Sequence, residues 1–165
     1  QAIDRLHEAG LIYDAHIMTG VAGKGRGMEN AEALAQFLNR TNPAHVVNFS
    51  MFLHKEVPLY QDIRQGTFVP ADELETIREE YHLIERIAPE KAGANILYDG
   101  FHDFIHVRVR GHLPGDKEKM LAKLNGIIQE YEGKEPVYSF VQGECPDLEY
   151  CDDGKAVWDM DRKTS

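Results

Sequence analysis

The sequence predicts an α/β fold made of parallel strand–helix units, and three observations lead to this class. Helical and strand patterns alternate through the first half of the chain. The connections between the strand patterns are too long for β-hairpins. One strand pattern, over residues 45–53, is apolar almost throughout, which is typical of a strand covered on both faces. Together these features predict consecutive parallel β/α units.

In the first half of the chain, each predicted element follows from its apolar spacing and its glycine or proline boundaries. The predicted elements are, in order, a helix ending at Gly10, a strand over 11–18, a helix over 28–39, a strand over 45–53, a loop over 54–69 and a helix ending before Pro89. The last helix has an apolar stripe formed by Leu74, Ile77, Tyr81, Ile84 and Ile87. Its paired carboxylates Glu79 and Glu80 are expected on the polar side, where charge usually lies.

The second half of the chain has a different pattern, so a division into residues 1–92 and 93–165 is predicted. Its predicted elements are strands over 95–98 and 104–110, a helix from Asp116 to Gly133, a short strand over 137–141 and an acidic tail anchored by Trp158. Along the second of these strands apolar residues alternate with His106, Arg108 and Arg110, which indicates one solvated face. The division therefore separates β/α units from an α+β extension.

Composition excludes several classes of partner. The formal net charge of −10 and a pI near 5.2 argue against binding to nucleic acid or anionic lipid. No apolar run approaches the roughly 20 residues that span a bilayer, so a cytoplasmic location is expected. Cys145 and Cys151 are six positions apart and are expected to be free thiols in a reducing compartment, although the spacing also permits a disulfide loop. Helical spacing that starts at Ala2 predicts that the chain is a fragment of a longer protein.

A glycine-rich junction joins the first strand pattern to the second helix. It reads DAHIMTGVAGKGRGMEN over residues 14–30. A strand, a glycine-rich turn and a helix start in this order are typical of an anion or nucleotide cradle. However, Lys24 is not followed by the Ser or Thr of a P-loop, and the glycine spacing differs from the dinucleotide fingerprint. A flexible surface loop is the alternative interpretation.

Other candidate chemistry in the sequence is weak. His102, His106 and His112 suggest a zinc site, but a polar sheet face is the favoured interpretation, with His102 and His106 on the same exposed side. Ser50 lacks the Gly-x-Ser-x-Gly context of a hydrolase nucleophile. The residues therefore predict neither a catalytic residue nor a metal ligand in this chain.

Three stretches of the sequence resemble one family of enzymes. They are AGLIYDAHIMTGVAGKG from residue 9, VVNFSMFLHKEVPLYQDIRQGTFVPADELETIREEYHLIERI from residue 46 and VRVRGHLPGDKEKMLAKL from residue 107. Their order resembles the later part of radical S-adenosylmethionine (radical SAM) iron–sulfur oxidoreductases related to oxygen-independent coproporphyrinogen oxidase. The resemblance implies a partial (β/α)6 barrel, of which this chain supplies the last two strand–helix units and a C-terminal α+β extension.

The resemblance also implies where the cofactor lies. Such enzymes hold S-adenosylmethionine across the carboxyl ends of the strands, which is where parallel sheets generally bind ligands. The resemblance thus implies that Ile17 and Gly20 lie beside the adenine or ribose. It also implies that Asn48, Met51, Phe52 and Leu53 form the wall of the pocket.

The family's Cys-x3-Cys-x2-Cys motif, which binds the [4Fe-4S] cluster, is absent from this sequence. We therefore expect this chain to hold no cluster by itself and to depend on a missing N-terminal half of the barrel, with a small-molecule substrate in the intact parent. A homodimer that covers the severed sheet edge is also expected. The alternative is a noncatalytic α/β module that binds an anionic metabolite or a protein partner.

Overall fold

Four strands form one mixed sheet in the computed structural model, which describes residues 2–140 and the backbone of two short strands beyond them. The helices are α1 (Ala2–Glu8), α2 (Gly27–Thr41), α3 (Pro58–Gln65), α4 (Glu73–Arg86) and α5 (Lys117–Tyr131). The strands are β1 (Asp14–Thr19), β2 (His45–Ser50), β3 (Ile96–His102), β4 (Val107–Leu113), β5 (Cys151–Asp152) and β6 (Lys155–Ala156). The predictions for Cys145, Val141 and Trp158 lie outside the described residues.

The sheet has the order β1-β2-β3-β4. Strands β1, β2 and β3 are parallel, with Met18 opposite Phe49 and Asn48 opposite Gly100. Strand β4 returns antiparallel to β3. The predicted α/β class and its parallel β/α units are thus confirmed. The sheet is open in the described residues, and its last strand makes it mixed.

One face of the sheet carries the main core. Helix α4 packs between α2 and α5, and these three helices cover that face. Strand residues on this side include Val46, Tyr98 and Val109, all fully buried beside Leu38 and Ile84 of the helices. The alternation of side chains along a strand places every second residue on this covered face.

The opposite face of the sheet stays accessible along most of its length. Its exposed or half-buried residues are Asp14, His16, Met18, His45, Val47, Phe49, Leu97, Phe101, Arg108, Arg110 and His112. Asp99 is the buried exception, because Arg108 holds it in a two-pronged ion pair. We call this side the open face.

Three element boundaries differ from the prediction. The predicted loop over 54–69 contains α3, which begins at Pro58. Its C-cap is Gly66, whose backbone has the left-handed conformation. Strand β1 begins at Asp14 rather than at residue 11, because Leu11 and Ile12 lie exposed before the sheet. Strand β3 continues through Gly100 to His102, so the predicted separate strand over 104–110 begins only at Val107. Local composition did not reveal these boundaries, since tertiary contacts decide them.

The C-terminal side of the described chain returns to the sheet. Strands β3 and β4 complete the same sheet as β1 and β2, so the predicted boundary at residue 92 falls between α4 and β3. Instead of the predicted strand over 137–141, residues 137–140 make one isolated bridge, in which Phe140 pairs with Leu53. No helix in the described residues has the length and apolarity needed to cross a bilayer.

Candidate functional site

Helix α4 directs three glutamates into the interior of the protein. Asp72 caps the helix, because its carboxyl group accepts a hydrogen bond from the Glu75 amide at 2.8 Å. In return, the Glu75 carboxyl group accepts a hydrogen bond from the Asp72 amide. This capping box fixes where the helix begins. Glu73, Glu79 and Glu80 are at most 2% exposed, and the prediction that Glu79 and Glu80 lie on a polar, solvated side is therefore wrong. Their burial requires partners that replace water.

The histidine at the end of β3 lies between two of these glutamates. His102 Nδ1 is 3.2 Å from Glu73 Oε2, and His102 Nε2 is 2.8 Å from Glu80 Oε2. All three side chains are fully buried. The predicted position of His102 on an exposed face is wrong, since the strand alternation turns its ring toward α4.

Neutral groups supply the remaining hydrogen bonds of the two carboxyl groups. Ser50 Oγ donates to Glu73 Oε1 at 3.0 Å, and the Ser139 hydroxyl contacts the same oxygen. Glu80 Oε1 accepts from Tyr98 Oη at 2.9 Å and from Asn48 Nδ2 at 3.2 Å. The network thus joins α4 to β2, to β3 and to the segment 137–140.

The electrostatics of His102 follow from these contacts. Burial disfavours the charged ring and by itself would lower the pKa of His102. Hydrogen bonds to Glu73 and Glu80, together with their charges, outweigh burial and raise the pKa of His102 to about 9. The ring therefore carries both protons at neutral pH and donates from both nitrogens.

Glu79 binds the end of β1 in the same way. Its Oε2 accepts from the Gly20 amide at 3.0 Å, and its Oε1 accepts from Asn30 Nδ2. Burial raises the pKa of Glu79, and these two hydrogen bonds oppose the rise. Helix α4 thus attaches to the carboxyl end of each parallel strand, through Glu79 at β1, Glu73 at β2 and Glu80 at β3.

The glycine-rich junction is folded back onto this helix. Gly20, Gly23 and Gly25 have positive φ angles, and a Cβ at Gly23 would approach the Val69 carbonyl oxygen to 2.8 Å. The amides of the loop bond internally: Gly23 to Gly20 O, Lys24 to Val69 O and Gly25 to Glu75 Oε1. These three loop amides are therefore not free to bind an anion, whereas α2 begins after Arg26 without a side-chain cap. Here the glycines allow two segments of the chain to approach closely, and they allow the backbone to adopt the left-handed conformation.

The open face carries an aromatic and cationic cluster. The rings of Phe49 and Phe101 stack at a centroid distance of 5.5 Å and an angle of 14°. The Arg108 guanidinium lies 4.6 Å above the Phe101 ring. Arg110 lies beside it, with its Nε 3.8 Å from Asp99 Oδ2 and about half of its side chain exposed. This surface can cover a flat ring and can meet an anionic group at its edge.

The six residues predicted to bind the cofactor lie in different surroundings. Ile17 packs against the main core, and Asn48 is buried on the helix side. Gly20 lies at the end of β1, where Glu79 binds its amide. Phe52 is exposed, whereas Leu53 is buried in a second apolar cluster against which Met51 packs. Gly20, Met51 and Phe52 therefore lie at the carboxyl-end edge, and Ile17 and Asn48 lie behind the sheet.

The three histidines of the zinc interpretation do not converge. His102 is buried on the covered face, His106 is exposed in the turn before β4, and His112 is exposed on the open face. Within the described residues, no group of three or more His, Cys, Asp or Glu side chains is arranged to hold a metal ion.

Sequence reasoning missed the acidic stripe of α4, although a signal was present. Glu73 and Glu80 are seven residues apart, and both fall at the spacing of the buried residues Ile77, Ile84 and Ile87. Charged residues at core positions of a helix indicate buried partners elsewhere in the fold. The histidine at the end of the following strand was the available partner.

Comparisons with protein-family models, with curated proteins and with solved structures gave no match for this chain.

Proposed function

We propose that this chain is a section of the wall of a radical SAM iron–sulfur oxidoreductase and contributes part of the S-adenosylmethionine pocket and substrate cavity. The observation that supports this most directly is the one-sided architecture of β1, β2 and β3. Three parallel strands carry helices on one face and leave the opposite face accessible. In a (β/α) barrel the helices lie outside, and the carboxyl ends of the strands surround the ligand. The sequence stretches that resemble the family lie on β1, on β2 with α3 and α4, and on β4 with α5.

The adenosyl part of the cofactor fits the carboxyl-end edge. The Phe52 side chain is 55% exposed, and the Phe49 ring is 38% exposed at the end of β2. Gly20, at the end of β1, is itself buried, and Thr76 and Met51 pack where its side chain would be. The two exposed rings at the end of β2 are suited to covering a flat nucleobase.

The [4Fe-4S] cluster does not fit this chain. Such a cluster needs three cysteine thiolates in the family motif, and the sequence contains two cysteines, both after residue 140. We assign the cluster to the missing N-terminal half of the barrel. We also propose that the intact protein works in the reducing cytoplasm. This chain would then shape the pocket and would not carry out the radical chemistry alone.

A noncatalytic binding module is the second candidate, and one observation favours it. The exposed Arg108 and Arg110 lie on the open face of a chain with net charge −10, where they share the single carboxyl group of Asp99 and can meet an anionic metabolite. In the glycine-rich loop, by contrast, the amides of Gly23, Lys24 and Gly25 already donate to oxygens of the chain.

NMR titration of the full 165-residue chain with S-adenosylmethionine and, separately, with inorganic phosphate distinguishes the two candidates. We expect S-adenosylmethionine to shift the amide signals of Gly20 and of residues 49–53. Phe52→Ala should weaken this binding severalfold. Phe37→Ala is the matched control, because Phe37 is an exposed ring on α2, far along the chain from this edge. Shifts with phosphate alone, or shifts confined to other residues, would overturn the proposal.

A further inference from the structure

Residues 137–140 lie across the carboxyl-end edge and are attached there by polar contacts on both sides. The Glu73 amide donates to Val137 O at 2.8 Å, and the Leu53 amide donates to Ser139 O at 2.6 Å. Phe140 forms the isolated bridge with Leu53. We call residues 137–140 the strap.

Below the strap lies an apolar cluster that is separate from the main core. Tyr138 and Phe140 of the strap bury Leu53, together with Tyr60 and Ile63 of α3. Removal of the strap would expose this cluster and the connection between β2 and α3. The strap and α3 therefore form a small unit whose stability depends mainly on each other.

The side chain of Ser139 connects the strap to the buried network. Its hydroxyl contacts Glu73 Oε1, which also accepts from Ser50. The other oxygen of Glu73 faces His102 Nδ1 at 3.2 Å. The orientation of the Glu73 carboxyl group toward the strap is thus set by the ring behind it.

We propose that the strap is a closure over the carboxyl-end edge and that His102 is the positioning residue that keeps it fastened, by holding Glu73 toward Ser139. The opened strap would uncover Leu53 and the buried side of α3 while the sheet stays intact. This inference does not depend on the proposed function, because it concerns only contacts within the chain.

The groups around His102 are defined on every side. Helix α4 contributes Glu73, Glu80 and, at longer range, Glu79, and β3 contributes Tyr98. Strand β2 contributes the neutral Asn48 and Ser50, and the strap contributes the neutral Ser139. Removal of the imidazole leaves two carboxyl groups without the cation between them, which favours rotation of Glu73.

Hydrogen–deuterium exchange of the full chain at pH 7 tests the inference. We expect His102→Gln to accelerate exchange at the Leu53 amide and in α3 about tenfold more than in β1 and β2, where exchange reports only the loss of global stability. Ser139→Ala should produce the same selective pattern without altering the buried ion pairs. His106→Gln is the matched control, because His106 is exposed.

Trypsin cleavage after Lys134 gives a second readout, normalised to cleavage of an unfolded peptide at each pH. For the wild type, cleavage should rise above pH 9 toward the level of His102→Gln while β1 and β2 stay protected from exchange, whereas a histidine that only stabilises the whole fold would raise cleavage and sheet exchange together. Unchanged exchange in the strap and α3, or acceleration spread evenly over the sheet, would overturn the inference. If His102→Gln does not fold, the Ser139→Ala variant tests the inference instead. Selective acceleration of exchange in α3 and at Leu53 supports the inference, and unchanged or evenly spread exchange overturns it.

Discussion

At the scale of single residues, the arrangement around His102 determines whether α4 can pack on the sheet. Two carboxyl groups buried without water repel each other and lose their hydration. An imidazolium between Glu73 and Glu80 neutralises one charge and donates to both groups. The protonated ring therefore stabilises the burial of the acidic side of α4 against the sheet.

The first prediction is that folding stability depends on the protonation of His102. Because its pKa rises from 6.5 to about 9 on folding, its contribution is fully present below pH 6.5 and is lost as the pH rises through 9. The shift corresponds to about 3 kcal/mol in the free energy of unfolding. Urea unfolding of the wild type and of His102→Gln between pH 6 and 10 measures it.

The difference between the two proteins should be largest near pH 6 and should shrink above pH 9. His106→Gln should follow the wild type throughout, since that ring is exposed. A difference that stays constant over the whole pH range would contradict the role of the charged ring.

At the scale of elements, α4 and β3 fit together because β3 lacks a side chain where a glutamate lies. A Cβ at Gly100 would overlap Glu80 Oε1 and would approach the Tyr98 ring to 3.1 Å. The Glu80 carboxyl group cannot move away freely, because Tyr98, Asn48 and His102 hold it. A glycine in the interior of a strand usually weakens the strand, and here it admits a buried carboxyl group.

The second prediction is that Gly100→Ala destabilises the protein by about 1–3 kcal/mol, as overpacking of a core usually does. The midpoint of urea unfolding at pH 7 measures the effect. Gly126→Ala is the control: Gly126 lies within α5, has open space around its Cα, and should gain about 0.5–1 kcal/mol from the better helix former. A neutral Gly100→Ala variant would show that Glu80 is free to move.

At the scale of the whole molecule, the described sheet has accessible surfaces that a closed fold would cover. Strand β1 pairs only with β2 among the described strands, so its outer edge is available. Leu11 and Ile12 precede this edge, and Ile12 is 85% exposed. An edge strand beside exposed apolar side chains favours pairing with another chain.

The third prediction is that the chain self-associates through the edge of β1. Sedimentation velocity over a range of protein concentrations should show dimers, and Ile12→Lys should reduce their fraction without changing the free energy of unfolding. Phe37→Lys places the same charge at an exposed apolar position of α2 and should leave the dimer fraction unchanged. Equal loss of dimer in both variants would indicate that the added charge, rather than the edge, is responsible.

Much of the fold could be predicted from local patterns. The order of β1, α2, β2, α4 and α5 followed from apolar periodicity and from boundaries at glycine and proline. Parallel pairing of β1 with β2 followed from the alternation of strands and helices. These features depend on neighbouring residues in the chain, so the sequence by itself determined them.

The tertiary structure alone decided which charged residues are buried. Glu73 and Glu80 fall at core spacing along α4, but their partners lie up to 66 positions away along the chain, so the sequence does not show how their charge is accommodated. Likewise, the packing of the helices on one face of the sheet placed Ile17 and Asn48 on the covered side, although Asn48 is next to the exposed Phe49 in the same predicted strand. Hydrogen bonds between distant residues offset the cost of burying charge, and only the folded chain brings those residues together.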